Sequence, residues 1–467
     1  MSRLPLLGAV LILSGCAVGP DYHRPVSEQS EQWQSRLNTV ASSQAAGTAA
    51  WWQQLDDPLL NELISGAMQH NRDLAGALAN IEQARALRRA AGAGYYPTVD
   101  SSGSGSRSRF SRQTGFGANI GTRNTFSAGL DASWELDLFG RTRRAVEVAD
   151  AQIGASEAAH RGVMLSVVAE VATSYFEARG LQRQLTVTER DIELLREVEE
   201  IARAQSELGV TTEMDLMRAR GERETFEARL PNLEAEIAAR SYRISVLTGQ
   251  PPEQHVRALQ ESRPLPMPPD LVPVGLRSEI LKRRPDVQLA ERELAAATAG
   301  IGVARADLFP SFSLTGAIGT SARVFSDLFT SGTFTNSVGG ALAWPVFAGG
   351  ALTAGVDVAE AGAKAALARY EQSVLLALED SEASLMRYGK EWQTLERLRS
   401  AEASRQKAFE IARLRYETGE ENFLVILDAE RDLITTRNDI ISSETRILTS
   451  LAQLYKALGG GWLPPEN

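Results

Sequence analysis

The sequence predicts an α+β membrane protein in which a unit of two strands and a long helical hairpin occurs twice. Three observations carry that reading. The segment "NRDLAGALANIEQARALRRAAGAGYYP" (71–97) is echoed by "RPDVQLAERELAAATAGIGVARADLFP" (284–310), and each copy ends in a proline. After each proline comes a Gly/Ser/Thr-rich stretch whose apolar residues alternate, which is the period of a strand. A very long charged, alanine-rich run follows, breaks at a glycine and resumes. The breaks read "SELGVTTEMDL" (206–216) and "YETGEENFLVIL" (416–427). This spacing is far too long for a solenoid repeat.

The N-terminus is a targeting segment. Arg3, the apolar "LPLLGAVLIL" and the small residues of "LSGC" (13–16) form a lipoprotein-type signal over 1–15. Cys16, the only cysteine of the chain, is then the lipidated residue, and 16–56 is a lipidated N-terminal tether. Each buried CH₂ of such a lipid adds about 0.8 kcal/mol of membrane affinity.

The first repeat covers 57–260, with helices at 72–94, 140–208 and 212–248 and strands at 98–110 and 125–139. A proline-rich crossover over 261–283, containing "PLPMPPDLVPVG", is expected to be extended. The second repeat covers 284–459, with helices at 284–307, 350–418 and 422–459 and strands at 311–320 and 334–347. Residues 460–467 are a C-terminal tail. Each proline-free run of about 65 residues makes a helix of roughly 100 Å. Leu378, Leu385 and Trp392 recur at the heptad spacing of a coiled-coil seam. Pro231 is placed to kink the first return helix.

The strand "TFSAGLDASWELDLF" puts Phe126, Ala128, Leu130, Ala132, Trp134, Leu136 and Leu138 on one face. The other face carries Asp131, Glu135 and Asp137 among small polar residues. Apolar outside, polar inside and aromatic at the ends is the pattern of a membrane barrel strand. The three carboxylates are expected to line the lumen and favour cations. Four strands cannot close a barrel, and open edges leave backbone groups unpaired in lipid. Three chains supply twelve strands, so the physics of the edge predicts a homotrimer with a twelve-stranded transmembrane β-barrel.

Other classes are excluded by what is missing from the sequence. A net charge of −10 and a pI near 5.2 argue against nucleic acid as partner. The four histidines are scattered, and no metal, cofactor or catalytic motif is present. We therefore expect no enzyme.

At this point the residues resemble a known family. "GCAVGPDYHRP" (15–25), "WWQQLDDPLLNELI" (51–64), "RRPDVQLAE" (283–291), "LFPSFSLTGAIG" (308–319), "WPVFAGG" (344–350), "RYETGEENFLVILDAERDL" (415–433) and "LYKALGGGW" (454–462) occur in family order. They resemble the outer-membrane factors of tripartite efflux systems, the TolC-like family, and within it the lipidated OprM-like/NodT branch of RND efflux pumps. The resemblance implies a trimeric barrel continuous with a long periplasmic α-helical coiled-coil tunnel. It implies a passive duct in the outer membrane, with a periplasmic adaptor protein and an inner-membrane RND transporter as partners. The alternative, sharing the fold, is the outer-membrane duct of a type I protein secretion system.

The resemblance also assigns residues. Gly209, Val210 and Thr211 in one turn, and Gly419, Glu420 and Glu421 in the other, correspond to the tips that meet the adaptor. Leu424, Asp428 and Arg431 fall on one helix face, at the positions that narrow the periplasmic end of the tunnel. Arg431, three residues after Asp428, is expected to offset the mutual repulsion of three symmetry-related aspartates. The matching position in the first copy is Arg218, so the hairpins are not equivalent. Asp428→Ala should therefore raise the resting conductance in planar bilayers; an unchanged low-conductance state contradicts the assignment.

Overall fold

The structure is a computed structural model that describes residues 17–25, 33, 41–42, 50–109, 122–261, 263–269 and 271–460. Cys16, the signal over 1–15 and the tail beyond residue 460 lie outside the described residues.

The long strands are β1 (Thr98–Arg109), β2 (Thr122–Leu136), β3 (Ser311–Ala322) and β4 (Phe334–Ala343), beside a short parallel pairing of Ala41–Ser42 with Val272–Pro273. The helices are α1 (Pro58–His70), α2 (Arg72–Gly92), α3 (Arg141–Glu207), α4 (Glu213–Glu227), α5 (Leu230–Leu247), α6 (Val256–Gln260), α7 (Arg277–Arg283), α8 (Pro285–Ala306), α9 (Ala351–Glu417) and α10 (Phe423–Ala457). The chain divides into two compact units. One comprises Met1–Val26, Asn80–Glu157 and Leu289–Glu371; the other comprises Ser27–Ala79, Ala158–Gln288 and Gln372–Asn467.

The first unit carries a four-stranded antiparallel sheet in the order β1-β2-β3-β4. Its register gathers the alternating apolar residues of both copies on one face. Trp134 lies opposite Leu314, Leu136 opposite Phe312, and Phe312 in turn opposite Leu342. Many of these residues are exposed: Val338 keeps 94% of its surface and Leu342 60%. A sheet whose apolar face meets no core is built for an apolar surrounding. No helix of the described residues is long and apolar enough to cross a membrane. The strand expected over 334–347 stops at Ala343, just ahead of Pro345, which has no N–H for a ladder.

The second unit is mainly helical. Its core gathers Trp51, Leu60, Ile64, Tyr175, Phe176, Ile280, Tyr388, Leu451 and Tyr455, all buried. Trp51 stacks on Tyr455 with ring centroids 4.9 Å apart. Asp57 caps α1 by accepting from the N–H groups of Leu59 and Leu60 at 3.0 and 3.1 Å. The crossover is not extended throughout, because α7 forms inside it with Ile280 and Leu281 buried.

The return segments of the two copies differ. The helix expected over 212–248 is interrupted at Ala228 and Arg229, so that α4 and α5 replace it. Pro231 sits in the first turn of α5, where its missing N–H has no cost, and so it starts a helix instead of kinking one. The second copy has no proline there, and α10 runs unbroken for 35 residues.

Matching glycines end matching helices. Gly209 and Gly419 have φ of 71° and 73°; Gly249 and Gly459 have 70° and 72°. A side chain at Gly209 would meet nothing within 4 Å, whereas a Cβ at Gly249 would stand 2.2 Å from the His70 carbonyl oxygen. Gly209→Ala should cost about 1 kcal/mol for the left-handed backbone alone. Gly249→Ala adds a backbone clash and should cost roughly 3 kcal/mol or more. Thermal midpoints of the two variants, measured side by side, check this ordering.

Candidate functional site at the hairpin turns

Both turns are built alike. After α3, Gly209 N–H donates to Ser206 O and Val210 N–H to Gln205 O. After α9, Gly419 N–H donates to Tyr416 O and Glu420 N–H to Arg415 O. Each is a Schellman motif closed by a left-handed glycine, which satisfies the last helical carbonyls. The next helix starts at once. Asp215 accepts from the hydroxyls of Thr211 and Thr212, both at 2.8 Å, and Asn422 accepts from the N–H of Leu424 at 3.0 Å.

The turn surfaces differ in chemistry. The first turn exposes Leu208, Val210, Met214 and Met217. The second carries Glu420 and Glu421, each within 3.8 Å of Arg415.

Leu424, Asp428 and Arg431 lie on one exposed face of α10. The expected pairing of Arg431 with Asp428 is not what the structure contains. Arg431 instead grips Glu222 of α4 with two hydrogen bonds, one at 2.9 Å and one shorter. A fork-shaped guanidinium prefers two parallel bonds to one carboxylate over a single contact along its own helix. Arg431 thus ties the second hairpin to the first.

On the opposite face of α10 sits a residue that sequence reasoning missed. Glu430 is fully buried, and neither carboxylate oxygen has a hydrogen-bond partner among the described residues. Burial, with Glu222 and Asp191 adding to it, pushes its carboxyl up to about 8. The signal was available in the sequence. Phe423, Ile426, Leu427, Leu433 and Ile434 set a helical apolar stripe in which position 430 belongs.

Asp191 of α3 is also buried, and burial raises its carboxyl to about 6 even though Arg437 bonds it at 3.3 Å. Arg437 also donates to Gln406 at 2.9 Å. By contrast the buried Glu199 is met by Arg203 and Arg223 at 3.0 and 2.7 Å. These arginines hold its carboxyl below the usual carboxylate range in spite of burial, which opposes them.

In the first unit, Asp131 and Glu135 lie on the polar face of β2, and Ser102 donates to Asp131 at 3.0 Å. Asp100, opposite Asp131 in the register, joins them there. Asp137 does not. The strand ends at Leu136, and the Asp137 carboxylate instead accepts the N–H groups of Thr142 and Arg143 at the start of α3. A carboxylate there offsets the orphan N–H groups and positive end of the helix. Among the described residues no group of acids, histidines or cysteines could hold a metal.

The family model described as outer membrane efflux protein matches residues 63–250 and 276–460, one match for each repeat. A probable efflux pump outer membrane protein, TtgC, of Pseudomonas putida is 33% identical, covering 99% of this chain and 96% of its own. The cation efflux system protein CusC of Escherichia coli O157:H7 is 32% identical, covering 97% of each. The solved outer-membrane channel OprN shares 36% identity with a TM-score of 0.91, over 96% of this chain and all of its own.

The Arg437–Asp191 pair gives a stability prediction. Arg437→Ala strands a buried carboxylate and should cost about 3 kcal/mol. Adding Asp191→Asn should recover most of that loss in chemical denaturation; no recovery would contradict the pairing.

Proposed function

The chain belongs to the outer membrane efflux protein family, and from that premise we propose that it works as a passive, trimeric exit duct for small molecules. As a family member it is the outer-membrane channel component of an efflux pump, and a duct has no need of a catalytic group. The observation that carries the finer reading is the open sheet. Strands β1 and β4 each pair on one side only, while the apolar face of the sheet is exposed. In lipid such edges must be paired, and three copies close a twelve-stranded ring.

Asp131, Glu135 and Asp100 then face the lumen and favour cations. The turns at Gly209–Thr211 and Gly419–Glu421 are the surfaces for a periplasmic adaptor, which links the duct to an inner-membrane transporter of the RND type. Exposed Val210 and Met214 at one turn and the charged Glu420 and Glu421 at the other support two distinct contacts. Leu424, Asp428 and Arg431 form the narrowing at that end, with Arg431–Glu222 as the strut that holds it closed. Cys16 carries the lipid that anchors the N-terminus in the outer membrane.

Outer-membrane fractions should give a trimer band on gels that collapses to monomer on heating. Deletion of the gene should sensitise cells to drugs and leave protein secretion intact. Lost secretion with unchanged drug susceptibility would assign the duct to type I secretion instead.

A further inference from the structure

Glu430 is fully buried and both of its oxygens lack a hydrogen-bond partner among the described residues. An ionised carboxylate cannot persist in that state without a compensating cation. The charged groups that face it are known. From α3 comes Asp191, itself held by Arg437. From α4 comes Glu222, already bound twice by Arg431. From α10 comes Arg431, committed to Glu222. Both facing acids repel a charge on Glu430, and Arg431, the cation nearest to it, is committed to Glu222. Its neighbours along α10 include buried apolar residues, Ile426, Leu427 and Leu433 in one cluster and Ile434 in another with Ile192 and Leu195. No metal-binding group exists among the described residues.

The two copies differ here as well. Counted from the turn glycines, Arg220 of the first hairpin stands where Glu430 stands in the second. Arg220 lies on the surface, within 4.0 Å of Glu199, and adds to the positive charge around that acid. Buried Glu199 of the first hairpin is thus paired with arginines, whereas Glu430 of the second has no hydrogen-bond partner among the described residues.

We propose that Glu430 is a proton-binding site between the two hairpins, and that loss of its proton loosens the contact of α10 with α3 and α4. Only a proton removes the charge at this position without rebuilding the packing. The consequence for gating rests on the duct reading above, because Arg431 is the neighbour of Glu430 and the strut to Glu222.

The direction follows from linkage. The folded-state carboxyl, near 8, lies above the ordinary value of 4.5. The contribution of this group is fully present below the ordinary value and is lost as pH rises through about 8. At neutral pH the site is largely protonated, and at about pH 9 it is largely ionised.

The test is hydrogen exchange of the full-length protein in lipid nanodiscs, with rates corrected for the intrinsic effect of pH. Between about pH 7 and about pH 9, protection of Glu213–Glu227 should fall about tenfold in the parent protein. Glu430→Gln, neutral at every pH, should show no such fall. Asp191→Asn serves as a second variant and should keep a fall, moved to lower pH, because one repelling charge that raises the Glu430 carboxyl is gone. An equal fall in the parent and Glu430→Gln overturns the proposal, as does the absence of any fall in the parent. Conductance recorded over the same pH range separates the two readings. Loosening without a rise in conductance contradicts the gate while the proton site stands.

Discussion

A strand in lipid must have both edges paired, and this chain supplies four strands that leave two edges open. In water an open edge is a hazard that charge or a bulge can blunt. In hydrocarbon each unpaired N–H and C=O costs several kcal/mol, so assembly is the only remedy. The exposed Leu314, Val338 and Leu342 make the same demand from the face of the sheet. On the trimeric reading proposed above, the protein is organised around an association that its sheet requires, and the helices would inherit its symmetry.

Duplication turns that requirement into a device. Each copy supplies two strands and a hairpin, and the copies agree wherever geometry rules. Their turn glycines share the left-handed backbone, and their Schellman bonds match one for one. They diverge where charge rules. Pro231 splits one return helix, Arg220 and Glu430 take opposite charges at one position, and Glu222 reaches across to Arg431. In the trimer proposed above, three copies would place two kinds of hairpin alternately around an axis. One kind has its buried Glu199 paired with arginines, and the other keeps Glu430 without a hydrogen-bond partner among the described residues.

Much of the fold was legible in the sequence because it depends on local period. The alternation from Phe126 to Leu136 fixes a strand, and proline-free stretches fix α3 and α9. Other features of the fold were not, two of them instructive. The split at Ala228 and Arg229 depends on Pro231 starting a helix, and a lone proline reads equally as a kink. Asp137 reads as the next residue of an alternating strand until the chain turns into α3 and needs a cap. At the turns, the exposed face of Leu424, Asp428 and Arg431 follows from helical spacing. The partner of Arg431 does not, because Glu222 is more than two hundred residues away. Glu430 was hidden by its own chemistry. A glutamate in a charged helix reads as solvated until the packing of α10 against α3 and α4 shows which face is inside.

The central claim is that the open edges of one chain are closed by two others. Its most direct test places single cysteines along β1 and second cysteines along β4, followed by oxidation in outer membranes. The account predicts covalent trimers, formed only by pairs in register and ending at three chains. Cross-links confined to one chain, or ladders extending beyond three, would contradict it.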